Sequence, residues 1–99
     1  MRLPQAVPTL QIDNERVRVT EWRFAPGAET GEHVHGLDYV VVPLASGRLK
    51  IISENGEESV SELRQGVSYA RKAGVRHNVI NANPFEYAFI EIELKGSER

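Results

Sequence analysis

Short runs of alternating apolar and polar residues fill most of the chain, each closed by a turn signal. RVRVTEWRF (16–24) is rich in β-branched and aromatic residues and stops at APGAETG, DYVVVPL (38–44) runs into ASG, and RLKIIS (48–53) into ENGEE. SVSEL (59–63) precedes RQG, HNVIN (77–81) ends at ANP, and FEYAFIEIEL (85–94) is the longest run before the polar tail KGSER. Alternation with a period of two over so few residues predicts strands, and strands at roughly eight- to twelve-residue spacing predict a sandwich or barrel. No useful window keeps apolar residues at helical spacing without a Gly or Pro interrupting it, so the chain is expected to be all-β with little or no helix. Asn55-Gly56 stands between two of the runs and predicts a hairpin, because Asn-Gly accepts positive φ at low cost.

The same pattern assigns faces. Trp22 and Phe24 share one side of their strand and read as core. Glu91 and Glu93 alternate with Ile90, Ile92 and Leu94, the pattern of a strand with one wet face. Val40, Val41 and Val42 are apolar on both sides of the pleat, which suits a strand covered on each face, either inside a closed monomer or with a second subunit on one side. Glu57, Glu58 and Glu62 read as surface charge.

Composition narrows the function classes. Ninety-nine residues suit one domain over 1–99, and 40% hydrophobic with 26% charged residues is ordinary for a globular chain. A net charge of −2 gives no electrostatic reason to expect a nucleic-acid partner or an anionic membrane. There is no cysteine, which removes disulfides, thiolate ligands and Cys nucleophiles together. The start, MRLPQAVPTLQ, lacks the apolar run of a signal peptide and no stretch is long enough to span a bilayer, so a cytoplasmic location without a membrane partner is expected. No phosphate loop, Gly-x-Gly-x-x-Gly or nucleophile elbow is present, and the histidines read better as a cluster than as part of a Ser-His-Asp triad.

The chain has three histidines, and two of them, His33 and His35, flank a single Val. In a strand these two point to the same face, about 7 Å apart along the backbone. The third, His77, shares a face with Val79 and Asn81 in another predicted strand. Three neutral imidazoles from two strands can bind a first-row divalent metal and leave coordination positions open. Imidazole suits zinc, nickel, iron, manganese and copper, so the spacing names no single ion.

Residues around the histidines carry a resemblance. Gly27, five residues, His33, one residue, His35 and later Gly47 resemble the first motif of the cupin family. Gly66, seven residues, Gly74, two residues, His77, three residues and Asn81 resemble its second motif. The resemblance, to the RmlC-like jelly-roll proteins and among them to short stand-alone cupins, some of which carry a beta-alanine degradation label, covers 27–47 and 66–81. It implies a small jelly-roll β-barrel, one divalent transition metal on His33, His35 and His77, and a homodimer. Two positions depart from the family pattern. The Glu expected four or five residues after the second His lands on Tyr39 or Val40, with the count back from Gly47 favouring Val40; the Pro expected two residues before the inner Gly is Lys72.

Asp38 is the nearest substitute carboxylate: it shares a face with the slot if the slot is Val40 and faces away if the slot is Tyr39. It is carried as an optional fourth ligand. Tyr39 and Asn81 are assigned to the pocket, Asn81 as a turn or supporting residue and not a ligand. Without the Glu, three neutral imidazoles leave a divalent ion uncompensated, so a small anionic metabolite is the expected partner. Arg71, Lys72 and Arg76 form a basic cluster beside His77, with Arg76 out of phase and solvent-facing. Three functions remain open: metal-assisted chemistry on a small organic acid, non-catalytic binding of a small anion, or a barrel whose site stays empty.

Overall fold

The computed structural model describes residues 3–96; Met1, Arg2 and the last three residues of the polar tail lie outside that range. Nine strands and no helix occur among the described residues: β1 (Val7–Asp13), β2 (Val17–Phe24), β3 (His33–Val34), β4 (Asp38–Pro43), β5 (Gly47–Ser53), β6 (Glu58–Leu63), β7 (Tyr69–Arg71), β8 (Arg76–Asn81) and β9 (Tyr87–Leu94). They form a five-stranded sheet in the order β1-β2-β9-β4-β7 and a four-stranded sheet in the order β3-β8-β5-β6. All the strand pairs are antiparallel, and the two sheets make a jelly roll whose ladders do not close into a continuous barrel.

Six strands follow the alternation read from the sequence, and three do not announce themselves. β1 contains Pro8 and is exposed along its whole length, so neither composition nor alternation marks it. Proline is tolerated there because β1 is the outer strand of its sheet and need not donate on its free side. β3 and β7, with two and three residues, are too short to show a period. The Asn55-Gly56 hairpin forms as expected, with Gly56 at φ 88° between β5 and β6.

The inner faces supply one core, with Phe24, Tyr39, Val41, Leu49, Val79, Tyr87 and Phe89 buried between the sheets. Phe24 and Phe89 meet at 5.5 Å between ring centroids. Gly47 belongs to this packing: a Cβ there would stand 2.9 Å from both the Asn83 side chain and the Tyr87 ring, so only glycine allows the approach.

The phase of β9 is the reverse of the one expected. Tyr87, Phe89 and Glu91 are buried, while Ile90 and Ile92 are half-buried and Leu94 is exposed. Register explains this: Glu91 sits in one row with Val41 and Thr20, whereas Ile90 and Ile92 pair with Val42 and Val40 on the opposite face. Burying the aromatic row Tyr87 and Phe89 decides the matter, since these rings remove more apolar surface than the isoleucines would. The outer face of the five-stranded sheet is consequently apolar, with Val17, Val40, Val42, Ile90 and Ile92 all half-buried.

Candidate metal centre

β3 and β8 place His33 directly opposite His77 in the ladder. His35 follows one residue beyond β3, and its backbone is tied on both sides: its N–H donates to the Val75 carbonyl at 2.8 Å and its own carbonyl accepts the Gly74 N–H at 2.7 Å. That second bond belongs to a turn in which Gly74 has φ 98°, a conformation that favours glycine. The alternation expected for His33 and His35 therefore holds even though the strand carrying them has only two residues.

The three rings form a near-equilateral group with centroids 4.7, 4.8 and 5.0 Å apart. His35 Nε2 lies 3.0 Å from His33 Nε2 and 3.1 Å from His77 Nε2. A metal–imidazole bond is about 2.0–2.1 Å, so two nitrogens on one ion stand about 3.0 Å apart at a right angle and about 3.4 Å apart at the tetrahedral angle. The observed spacings fit a common ion, with His33, His35 and His77 as a group that can hold one.

The chemistry of the neighbours also fits. His33 Nδ1 is 2.9 Å from the Gly31 carbonyl, which can only accept, so Nδ1 carries the proton and Nε2 keeps its lone pair. Thr30 Oγ1, 3.2 Å from the same Nδ1, and Asn78 Oδ1, which accepts the Gly31 N–H at 2.9 Å, fix that loop. Burial, with His33 and His77 alongside, pulls His35 down from 6.5 to about 4. Burial, His33 and the Arg71 charge bring His77 to about 4 as well. Both imidazoles are thus neutral at pH 7, the form that binds metal.

Sequence reasoning found no carboxylate beside the histidines; the structure places one there. Glu91, 8% exposed, brings Oε2 to 3.7 Å from His35 Nδ1. This is longer than a hydrogen bond, and with His35 neutral it is not an ion pair at pH 7; it favours the tautomer with the proton on Nδ1 and the lone pair on Nε2. Trp22 Nε1–H donates to Glu91 Oε1 at 3.3 Å. Burial raises the Glu91 pKa, opposed by that Trp22 bond. The readable signal was the aromatic row Tyr87 and Phe89, which shares the face of Glu91.

Tyr39, 3% exposed, stacks on the His35 ring at 3.9 Å between centroids. Burial, then the Glu91 charge, push its hydroxyl up to about 12, so it remains a phenol. The motif-Glu position is therefore Tyr39, facing inward, and not Val40, which lies on the outer face. This corrects the expectation for Asp38, which points away from the centre. It is exposed, and its Oδ1 accepts the Ala73 N–H at 2.8 Å, bracing the turn in which Lys72 replaces the family's Pro. Asn81 is not a pocket residue either. It stands at the far end of β8, 2% exposed, donating through Nδ2 to the carbonyls of Phe24, Ala25 and Phe85.

Two cavities reach the histidines. One, of about 390 Å³, borders His33 and His35 and is lined by Thr20, Trp22, Glu91 and Glu93. The other, of about 270 Å³, borders His77 between the sheets and is lined by Tyr39, Ser59, Ser61, Tyr69 and Arg71.

A protein of Pseudomonas aeruginosa named beta-alanine degradation protein BauB is 60% identical over 92 residues, covering 93% of this chain and 96% of that one. The crystal structure of a cupin domain from Bordetella pertussis Tohama I is 56% identical and superposes with a TM-score of 0.93, over 97% of this chain and 99% of that one. The chain belongs to the cupin family. An RmlC-like cupin with a double-stranded β-helix fold from Methanocaldococcus jannaschii, 14% identical, shares the fold at a TM-score of 0.76 over 92% of this chain and 81% of its own. No family model matches the sequence. Within this cupin the two motifs have distinct physical tasks: the histidines supply the donors, and Gly47 and Gly74 permit the close packing and the turn that bring them together.

Proposed function

We propose that this cupin binds one divalent transition ion, zinc, nickel, iron or manganese, and acts there on a small organic acid. The observation that carries the reading is the meeting of three Nε2 atoms from His33, His35 and His77 at spacings of 3.0 and 3.1 Å. A bound ion supplies Lewis-acid polarisation of an oxygen ligand. The protein supplies three uncharged donors, which leave the ion's charge to be met by an anion. Glu91 provides a buried carboxylate on the cavity beside His33 and His35, positioned to take a proton from a ligand held there.

A second reading is a module that binds a small anion without turning it over. It is supported by Glu91 already being engaged by Trp22, so that its carboxylate also serves to orient His35. The two readings separate when zinc-loaded protein is incubated with a panel of small organic acids, beta-alanine included because of the relative's name. An enzyme shows turnover that falls at least about a hundredfold in Glu91→Gln while zinc content is kept. A binding module shows carboxylate binding with no turnover. Failure of every acid either to bind or to react contradicts both.

A homodimer is part of the same proposal. Its support is the outer face of Val40, Val42, Ile90 and Ile92, which no element of the chain among the described residues covers. Sedimentation should give twice the 11.1 kDa chain mass, reverting to the monomer in Ile90→Lys; a monomeric wild type overturns it.

A further inference from the structure

We infer that Arg71 anchors the carboxylate of the ligand, which enters through the cavity bordering His77; this rests on the small-acid reading above and specifies its entrance. β7 is the outer strand of its sheet, and its pairing puts Arg71 opposite Tyr39, the residue whose ring stacks on His35. Arg71 therefore shares the inner face with the wall of the histidine cluster.

Its charge is held in place and left unpaired. The guanidinium carbon lies 4.5 Å above the Tyr69 ring, and Nη1 donates to the Ala70 carbonyl at 2.9 Å. Arg18, Arg23, Arg48 and Arg76 each have a carboxylate within 4.0 Å, whereas Arg71 has none among the described residues. Arg16 and Arg64 are also without one, but neither borders this cavity. A guanidinium with its remaining N–H donors free and its plane stacked on an aromatic ring suits a carboxylate, which it can bind through two parallel hydrogen bonds.

The rest of the lining agrees. Ser59 and Ser61 face inward, in register with Ile51 and Leu49, where a purely structural sandwich would place apolar side chains. They add hydroxyl donors opposite Arg71. No carboxylate lines this cavity, whereas Glu91 and Glu93 line the other. An anion is thus favoured on the Arg71 side and opposed on the Glu91 side. A volume of about 270 Å³ holds about nine waters at roughly 30 Å³ each, which suits a ligand of a few carbons and excludes a nucleotide.

The test is calorimetric titration of wild type, Arg71→Gln and Arg64→Gln with succinate and with neutral succinamide, each protein in zinc-loaded and metal-free form. Wild type and Arg64→Gln should bind succinate; Arg71→Gln should bind it at least tenfold more weakly with unchanged zinc stoichiometry. Arg71→Lys should recover part of the loss. Amide NMR shifts on succinate addition should centre on Ser59, Ser61 and Tyr69. Equal succinate affinity in Arg71→Gln, equal affinity for succinamide, or no succinate binding by wild type overturns the inference. A protein that takes up no zinc yet binds succinate through Arg71 would sink the metal reading and leave this one standing.

Discussion

His35→Ala should lower metal affinity by at least about a hundredfold, beyond the loss expected for a residue that only orients a ligand. His35 is the decisive choice because its Nε2 is within 3.1 Å of both partner nitrogens, so its loss removes the donor the other two share. Asp38→Asn is the matched control. Its carboxylate is exposed and bonded to the Ala73 N–H, so zinc affinity should not change. Acid gives a second readout of the same centre. In the metal-free fold His35 and His77 hold pKa values of about 4, below the ordinary 6.5. Between those values the unfolded chain binds more protons than the folded one, so stability is complete above 6.5 and falls as pH drops towards 4. Protons compete for the imidazoles only near the lower value, so wild type should keep its metal at about pH 5.5 and release it as pH nears 4. Equilibrium dialysis against zinc across this range reads both effects. Unaltered zinc affinity in His35→Ala removes His35 from the site, and release already complete at about pH 6 would show ordinary exposed imidazoles.

Asn81→Ala should be the most destabilising single change considered, at about 3 kcal/mol or more, equivalent to a fall in Tm of roughly 10–20 °C for a chain of this size. The amide donates to three backbone carbonyls from the end of β2 and the loop before β9, and its Oδ1 accepts both the Asn83 N–H and the Asn83 Nδ2–H. Asn83 in turn bonds the backbone of Arg48 through Oδ1 and Nδ2. Removing one side chain leaves this buried end of the jelly roll with unsatisfied acceptors and donors at once. Asn81→Asp keeps the shape but loses the donor and adds a charge, so it should also destabilise. Thermal denaturation checks both, and a Tm within a few degrees of wild type would show that water replaces the amide. Below the midpoint the folded variant should still bind zinc, because Asn81 holds the fold and not the ligand.

The limits of what the sequence reveals follow from the period of two. Runs of five or more residues with a clear alternation, such as 16–24 and 48–53, were legible as strands. β3 and β7 were not, because two or three residues carry no period. β1 was hidden by Pro8 and by having no buried side to pattern. The ligand set was legible because imidazole chemistry and motif spacing agree. The face of Glu91 was misread because β9 is amphipathic in an unusual sense: isoleucines line one side, aromatic rings and carboxylates the other. Alternation alone cannot rank those two faces; the volume of Tyr87 and Phe89 does. The roles of Tyr39 and Asp38 turned on one step of register, and stacking of Tyr39 on His35 fixes it.

The central claim is the metal centre, and metal content tests it most directly. Untagged protein prepared without added metal or chelator should contain close to one equivalent of a divalent transition ion by mass spectrometry, with none in the His33→Ala/His77→Ala double variant. A wild type that is empty, and that takes up neither zinc, nickel, iron nor manganese when offered, would contradict the account.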